Sequence, residues 1–348
     1  MSDRRTIRAY AATKPGPTAE PFEYVSRPLG PNDVEIAISH CGICGADLHA
    51  IEKPPGQANY PVVPGHEIIG HVTARGDYVT HLAHGDRVGV GAMVFACLDK
   101  AECTECVTDR DSYCSKMMFT WSSTYPDGEK AYGGYAEHIR VLCQYAFKIP
   151  EELASDVAAP LLCAGVTVFS PLKRYAAAGG RVGVIGIGGL GHLAIQFGQA
   201  MDATVVAFSH SANKEEQVRA LGAGEFVLMS DPDVVAKAAR SVDVLLVTAD
   251  ADGQPWDTYL SFVASGGALV MLGTPSERVN FSAFSLIPRG ISIVGSLIGG
   301  IKDTKEMLEL AAKRNVRAVV QKMPMSEVNA GLQLMREGKA RYRVVLEN

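Results

Sequence analysis

The chain has 348 residues, 47% of them hydrophobic and 20% charged, and 33 Lys+Arg against 38 Asp+Glu leave a formal charge of -5. This length suits about two domains with sizeable cores, and the lack of a basic excess excludes a nucleic-acid footprint. Neither the start nor any later stretch carries the apolar run of a signal peptide or membrane span, so a cytoplasmic enzyme acting on small molecules, with no nucleic acid and no membrane, is expected.

From Thr6 to about Pro150 the sequence is turn-rich, with short alternating runs such as Val34–Ile38 and Gly70–Thr73 punctuated at Pro15, Pro64, Gly76 and Gly85. That pattern predicts a small, irregular, mostly β domain. After Pro150 apolar strands are expected at Arg181–Ile185, Thr204–Phe208, Glu225–Leu228, Val242–Val247, Ala268–Leu272 and Ile291–Val294. Helices are expected between them at Leu190–Gln199, Lys214–Leu221, Val234–Ala239 and Trp256–Val263. Their alternation predicts an α/β domain, a parallel, doubly wound sheet covered on both faces. A helix over Asp303–Arg314, with Met307, Leu308 and Ala311 on one face, is followed by a predicted strand Val316–Val320, helix Glu327–Met335 and strand Tyr342–Leu346.

Eight cysteines stand at 41, 44, 97, 103, 106, 114, 143 and 163, and their clustering favours metal binding over disulfides. Cys103-x2-Cys106-x7-Cys114, with Cys97 shortly before, is most economically a tetrahedral structural zinc held by four thiolates; thiols packing as small hydrophobes are the competing reading. A second set is dispersed over Cys41-Gly-Ile-Cys44-Gly-Ala-Asp47-Leu-His49, Gly65-His66-Glu67 and Cys163. Spacing alone does not choose among Cys41, Cys44, His49, His66 and Cys163. Two cysteines and a histidine with an open fourth position would make a catalytic zinc.

Gly186-Ile187-Gly188-Gly189-Leu190-Gly191 stands between the first strand and first helix of the α/β region, the setting in which G-x-G-x-x-G reads as a dinucleotide loop. Gly186 permits the tight turn, Gly188 admits the pyrophosphate, and Gly191 lets helix and strand approach closely. The next strand ends in Phe208-Ser209-His210-Ser211 without an acidic residue. Ser209, Ser211 and Lys214, with His210 between the serines, therefore suit a 2'-phosphate and hence NADP(H). Lys214 as an ordinary solvated helix-start lysine is the alternative.

These landmarks, together with Pro64-Gly65-His66-Glu67, Gly133-Gly134-Tyr135-Ala136-Glu137, Pro160-Leu161-Leu162-Cys163-Ala164-Gly165, Gly295-Ser296-Leu297-Ile298-Gly299-Gly300 and Arg341-Tyr342-Arg343, resemble the zinc-dependent medium-chain alcohol dehydrogenases over essentially the whole chain. The similarity is greatest to the cinnamyl alcohol dehydrogenase and NADP-dependent aldehyde reductase branch. The resemblance implies a GroES-like catalytic domain over 1–153 and 292–348, a Rossmann domain over 154–291, an active site in the cleft between them, and a homodimer. It further implies that Cys44, His66 and Cys163 hold the catalytic zinc, that Asp47 orients His66, that Glu67 neighbours the metal, and that two zinc ions bind per chain. By the same resemblance Cys41 and Cys143 are packing thiols.

Two positions depart from the family pattern. Where members carry a hydroxyl that relays a proton towards the His49 position, this chain has Ala46; where they carry the first structural cysteine it has Lys100, so Cys97 is taken as that ligand. Met93, Phe95, Trp121 and Tyr125 fall in the region lining the family's substrate cleft. Thr167 lies four residues past the third ligand, and Leu272, Gly273 and Ser296 follow late Rossmann strands; all four are expected to approach the cofactor. The expected activity is reversible NADP(H)-linked reduction of an aromatic, allylic or medium aliphatic aldehyde to the primary alcohol. The alternatives are hydride addition to the far carbon of an enal and a non-catalytic nucleotide or zinc sensor.

Overall fold

The computed structural model describes residues 4–54 and 57–348. Short alternating runs fold as expected into antiparallel strands. β1 (Thr6–Ala11) pairs with β2 (Glu20–Val25), burying Ile7, Ala9 and Ala11 on one face. β3 (Asp33–Ile43), β4 (Ile68–Arg75) and β5 (Arg87–Val90) form an antiparallel run. β6 (Met93–Phe95) pairs with β7 (Met118–Phe119), β8 (His138–Leu142) returns to β3, and β9 (Phe147–Lys148) pairs with β5. Short helices α1 (Gly45–Glu52), α2 (Thr104–Val107) and α3 (Ser155–Ala158) punctuate this region.

The middle of the chain runs α4 (Ala164–Tyr175), β10 (Arg181–Ile185), α5 (Gly191–Ala200), β11 (Thr204–Ser209), α6 (Glu215–Ala220), β12 (Glu225–Leu228), α7 (Pro232–Lys237), β13 (Val242–Val247), α8 (Trp256–Phe262), β14 (Val263–Met271) and β15 (Ser292–Gly295). All its strand pairs are parallel, in the order β12-β11-β10-β13-β14-β15. Renumbered from β10 this is 3-2-1-4-5-6, the doubly wound order whose direction reverses next to the first strand and opens a nucleotide crevice there. The near-continuous apolar character of β10 and β13 follows from coverage on both faces.

The last segment carries α9 (Ile301–Lys313), β16 (Val320–Pro324), α10 (Val328–Arg336) and β17 (Arg343–Glu347). β17 lies antiparallel to β3 and parallel to β16, which completes the sheet β16-β17-β3-β4-β5-β9 with β8 also on β3. The C-terminal strands thus rejoin the first sheet. No single helix among the described residues is long and apolar enough to cross a membrane.

The chain divides into two compact units, one ending its first stretch at Cys163 and including Gly299–Glu309 and Ala318–Asn348, the other comprising Ala164–Ile298 and Leu310–Arg317. These boundaries differ from 153/154 and 291/292. The turn before Cys163 belongs to the first unit because Gly89 and Gly91 pack against it: a Cβ on either would come within 2.4 and 2.6 Å of Leu162. Residues up to Gly295 belong to the second unit because β15 pairs with β14. Residues near 317 are held there by the Gln196 side chain, which bonds both backbone groups of Arg317 at 2.9 and 3.0 Å. The strand expected at Val316–Val320 is corrected. That segment is loop until Val320; Val316 and Ala318 are buried by packing rather than by a ladder, and the strand runs on to Pro324 instead.

Candidate active site

β3 ends at Ile43, and Cys44 follows with extended backbone immediately before α1. Three residues on, Asp47 is fully buried, and its carboxylate collects four donors. Oδ2 accepts the Cys44 backbone N–H at 2.9 Å and the Tyr135 hydroxyl at 3.2 Å; Oδ1 accepts the Gly65 N–H and the His66 Nδ1–H, each at 2.9 Å. Such a saturated anion is the form in which a buried carboxylate is tolerated. Gly65 has φ +96, and a Cβ there would lie 2.6 Å from the Tyr135 ring and 2.8 Å from the Cys41 sulfur, so only glycine fits this turn.

With Nδ1 turned to Asp47, His66 aims Nε2 at the thiols, 3.2 Å from the Cys163 sulfur, which is itself 3.9 Å from the Cys44 sulfur. Ligand atoms of Cys44, His66, Glu67 and Cys163 all lie within 4.8 Å of one another and can hold a metal ion. A tetrahedral zinc with Zn–S near 2.3 Å has S···S edges of roughly 3.8 Å, so the thiol spacing and donor types fit this ion. Asp47 supplies the carboxylate that commonly fixes the tautomer of a ligating histidine. The hydrogen bond shared by the two sulfurs holds the Cys44 thiol well below its ordinary value and Cys163 well above. Burial opposes a charged His66 imidazole, but Asp47 outweighs it and holds the pKa well above the usual range.

Glu67 is fully buried beside this cluster and forms an ion pair with Arg343, itself 3% exposed. Burial pushes the Glu67 carboxyl up to about 8 while Arg343 pulls it back. Its other oxygen, Oε2, has no hydrogen-bond partner, and a Cβ at Gly42 would lie 2.0 Å from it. The sequence marks Arg343 only as part of a landmark and gives it no role. The available signal is an arginine set directly before the apolar run Val344–Leu346, because a buried guanidinium requires an acidic partner.

Trp121 is brought to the same place, its Nε1 3.1 Å from His66 Nδ1 and its ring edge-on to the imidazole at 6.0 Å. Because the Nδ1 proton faces Asp47, the indole contact is packing, and Phe119 stacks on its far side at 6.0 Å. Met93, which pairs with Phe119, is buried and Phe95 half-buried in β6. Tyr125 does not join them: it is buried with its ring beneath Arg27, 4.3 Å from the guanidinium, which corrects its expected place in the pocket. His49 lies exposed on α1 and Ala46 half-buried one turn before it.

The second cluster is local. Sulfurs of Cys97 and Cys106 are 3.7 Å apart, Cys97 and Cys114 3.5 Å, and Cys103 and Cys114 3.8 Å, again the edge length of a zinc–sulfur tetrahedron. All four can hold one ion. The extra residues after Cys97 loop outward, with the Lys100 ammonium bonded to the Cys106 carbonyl and, at 2.8 Å, to Asp109. Cys41 and Cys143 are buried outside both clusters.

In the second unit, Gly186 has φ +89, and a Cβ at Gly191 would lie 2.0 Å from the Gly186 carbonyl, which leaves α5 seated tightly on the turn after β10. Leu190 caps α5, and nothing lies within 4 Å of a Cβ at Gly188, on the open side. A cavity of about 340 Å³ opens here, lined by Gly186, Ile187, Ser209, His210, Ser211 and Lys214 among others. Lys214 turns back so that its ammonium donates to the Ile187 carbonyl at 3.1 Å, and Ser209 Oγ accepts the Ser211 N–H at 3.2 Å. Gly189 lies in the same turn without lining the cavity. Neither do Thr167, buried in α4, Leu272, Gly273 or Ser296; Gly273 closely approaches the Ala249 carbonyl, and Ser296 Oγ is buried without a partner. A larger cavity of about 570 Å³, between β1–β2 and the C-terminus, is lined by none of the candidate metal or nucleotide ligands.

Two family models match, the alcohol dehydrogenase GroES-like domain over residues 30–151 and the zinc-binding dehydrogenase domain over 189–313. A probable mannitol dehydrogenase from Mesembryanthemum crystallinum is 40% identical over 97% of this chain and 93% of its own length. The chain belongs to the zinc-dependent medium-chain dehydrogenase/reductase family. Among solved structures, a cinnamyl alcohol dehydrogenase from Sorghum bicolor superposes with TM-score 0.93 at 35% identity, covering 99% of this chain and 98% of that one. A cinnamyl alcohol dehydrogenase from Helicobacter pylori, complexed with NADP(H), gives 0.89 at 30% identity over 99% and 98%. The medium-chain architecture, a GroES-like domain plus a Rossmann-like parallel sheet, is therefore that of this chain, and membership makes it an oxidoreductase of the class that interconverts alcohols and aldehydes.

Proposed function

We propose that this medium-chain dehydrogenase is a zinc-dependent, NADP(H)-linked reductase of aromatic, allylic or medium aliphatic aldehydes, working reversibly on the primary alcohols. The observation that carries this reading is the convergence of Cys44, Cys163 and the Nε2 of an Asp47-fixed His66 on one buried point. Two thiolates and a neutral imidazole match the charge of a zinc ion and leave a position for substrate. When bound, zinc supplies a Lewis acid for the carbonyl oxygen and NADPH supplies the hydride. Asp47 holds the imidazole in the tautomer that frees Nε2, and Arg343 neutralises Glu67, so the carboxylate beside the ligands need not compete for the metal. The Trp121–Phe119 stack offers a flat apolar wall beside His66 for a planar substrate. The four-thiol cluster is proposed to hold a second, structural zinc.

The NADP(H) preference rests on Ser209, Ser211 and Lys214 lining the nucleotide cavity with no acidic residue at the end of β11. A cytoplasmic homodimer belongs to the same proposal. The edge strand β15 and exposed Phe284 and Ile287, 81% and 74% accessible, are the surface that would receive the second copy.

Ala46 favours a second reading. Without a hydroxyl there to pass a proton towards the substrate oxygen, hydride addition to the far carbon of an enal, which is completed by protonation at carbon, becomes competitive. Product analysis after NADPH oxidation with cinnamaldehyde separates the two. Cinnamyl alcohol supports carbonyl reduction and 3-phenylpropanal replaces it with the second reading. No oxidation across an aldehyde panel, with both metals loaded, replaces catalysis with sensing.

A further inference from the structure

Away from both metal clusters, a cavity of about 150 Å³ in the first unit is lined by Tyr24, Arg27, Tyr125, Lys130, Tyr132 and Arg140 among others. Lys130 is placed there by a tight turn: Tyr125 and Glu129 share a backbone bond of 2.7 Å, Gly128 N–H closes on the Tyr125 carbonyl at 2.9 Å, and Thr124 bridges to Lys130. The charges around it are already committed. Arg140 holds Glu35 at 2.7 Å, Arg27 holds Asp33 at 2.5 Å and reaches Asp127, and Glu129, the acid on the cavity wall, pairs with Arg4. Among the described residues no carboxylate pairs with Lys130, whose ammonium instead lies 5.5 Å from the Tyr132 ring centre. Tyr24 stacks on Tyr132 at 4.1 Å, and Tyr125 is covered by Arg27, so the walls are aromatic surface and occupied guanidinium groups.

We propose that Lys130 is a nucleophilic amine that captures small aldehydes as an imine, a second and non-catalytic site at which this protein holds aldehyde. The amine lone pair attacks the carbonyl carbon and a C–N bond forms. The carbonyl oxygen leaves as water with the two amine hydrogens, so no oxidant or reductant is consumed. Burial alone pushes Lys130 down to about 8, which leaves a useful fraction unprotonated near neutrality. The site shares with the proposed activity only the substrate class.

The test incubates the full-length, metal-loaded protein with propanal and cyanoborohydride, which reduces the imine to a stable secondary amine, and maps propylated lysines by peptide mass spectrometry. Lys130 is expected to be labelled about tenfold faster than any other lysine, with the rate rising between about pH 7 and about pH 9. K130R is expected to lose this label and keep wild-type NADPH-linked turnover. Equal labelling across exposed lysines, no label at Lys130, or the same preference in the urea-unfolded chain overturns the proposal. Labelling needs no turnover, so its failure leaves the reductase reading intact, and an inactive enzyme that still labels at Lys130 leaves this inference intact.

Discussion

The two thiol clusters are built in opposite ways. Cys97, Cys103, Cys106 and Cys114 come from one loop of eighteen residues that contains little besides α2 and a short turn, and two of its thiols are half-exposed. Cys44, His66 and Cys163 come from the end of β3, the loop before β4 and a turn 97 residues later, and they are positioned by a buried carboxylate and a sheet. The first arrangement needs its ion to be a structure; the second is a structure already and offers itself to an ion. A loop with few apolar contacts gains order by metal cross-linking, whereas a site with an uncommitted position gains chemistry.

Substitutions that separate stability from turnover test this contrast. H66A should lower carbonyl reduction by about a thousandfold or more, because the oxygen-polarising ion is lost, while NADPH binding followed by fluorescence stays unchanged; turnover within a few-fold of wild type would remove the metal from the mechanism. C106S should instead lower the Tm by roughly 5–10 °C, on a scale of about 2–4 °C per kcal/mol, and metal analysis should show one ion fewer while the surviving folded fraction keeps its kcat. If C106S abolishes kcat with Tm unmoved, the contrast between the clusters collapses. D47N keeps the size of the orienting side chain but weakens its hold on His66, and should cost about 10–100-fold in affinity for the ion at the dispersed cluster alone, read by competition with a chelator. The smallest effect belongs to the other unit: K214A should reduce the NADPH over NADH preference in kcat/KM about tenfold, equivalent to ~1.4 kcal/mol for one lost charge-assisted contact. An unchanged ratio would detach Lys214 from the phosphate.

What could be read in advance follows the same division between local and assembled features. β10 and β13 match their expected limits because a strand covered on both faces writes itself as a near-continuous apolar run between turn residues, and the edge strand β12 matches with only Val227 buried. The four-thiol cluster was legible for the related reason that its members lie in one loop. Val316–Val319 is largely apolar without being a strand, since apolar character reports burial and not pairing. The choice of Cys44 over Cys41 needed either family resemblance or coordinates. The two differ only by which side of β3 and its following turn they face, and Cys41 ends among Gly65, Gly134 and Tyr135. Arg343 was harder still, because its meaning depends on a glutamate 276 residues away.

The absence of a side chain at position 42 has a consequence for anyone who wishes to reshape this protein. Gly42 lies on β3 opposite Val345 of the C-terminal strand, and the space where its first carbon would sit is taken by a carboxylate oxygen of Glu67. Even alanine there must evict that acid from its nook and so disturb its tie to Arg343. Sheet and chemistry are therefore inherited as one unit, and a library that diversifies this strand while ignoring the acid and the guanidinium explores mostly broken enzymes.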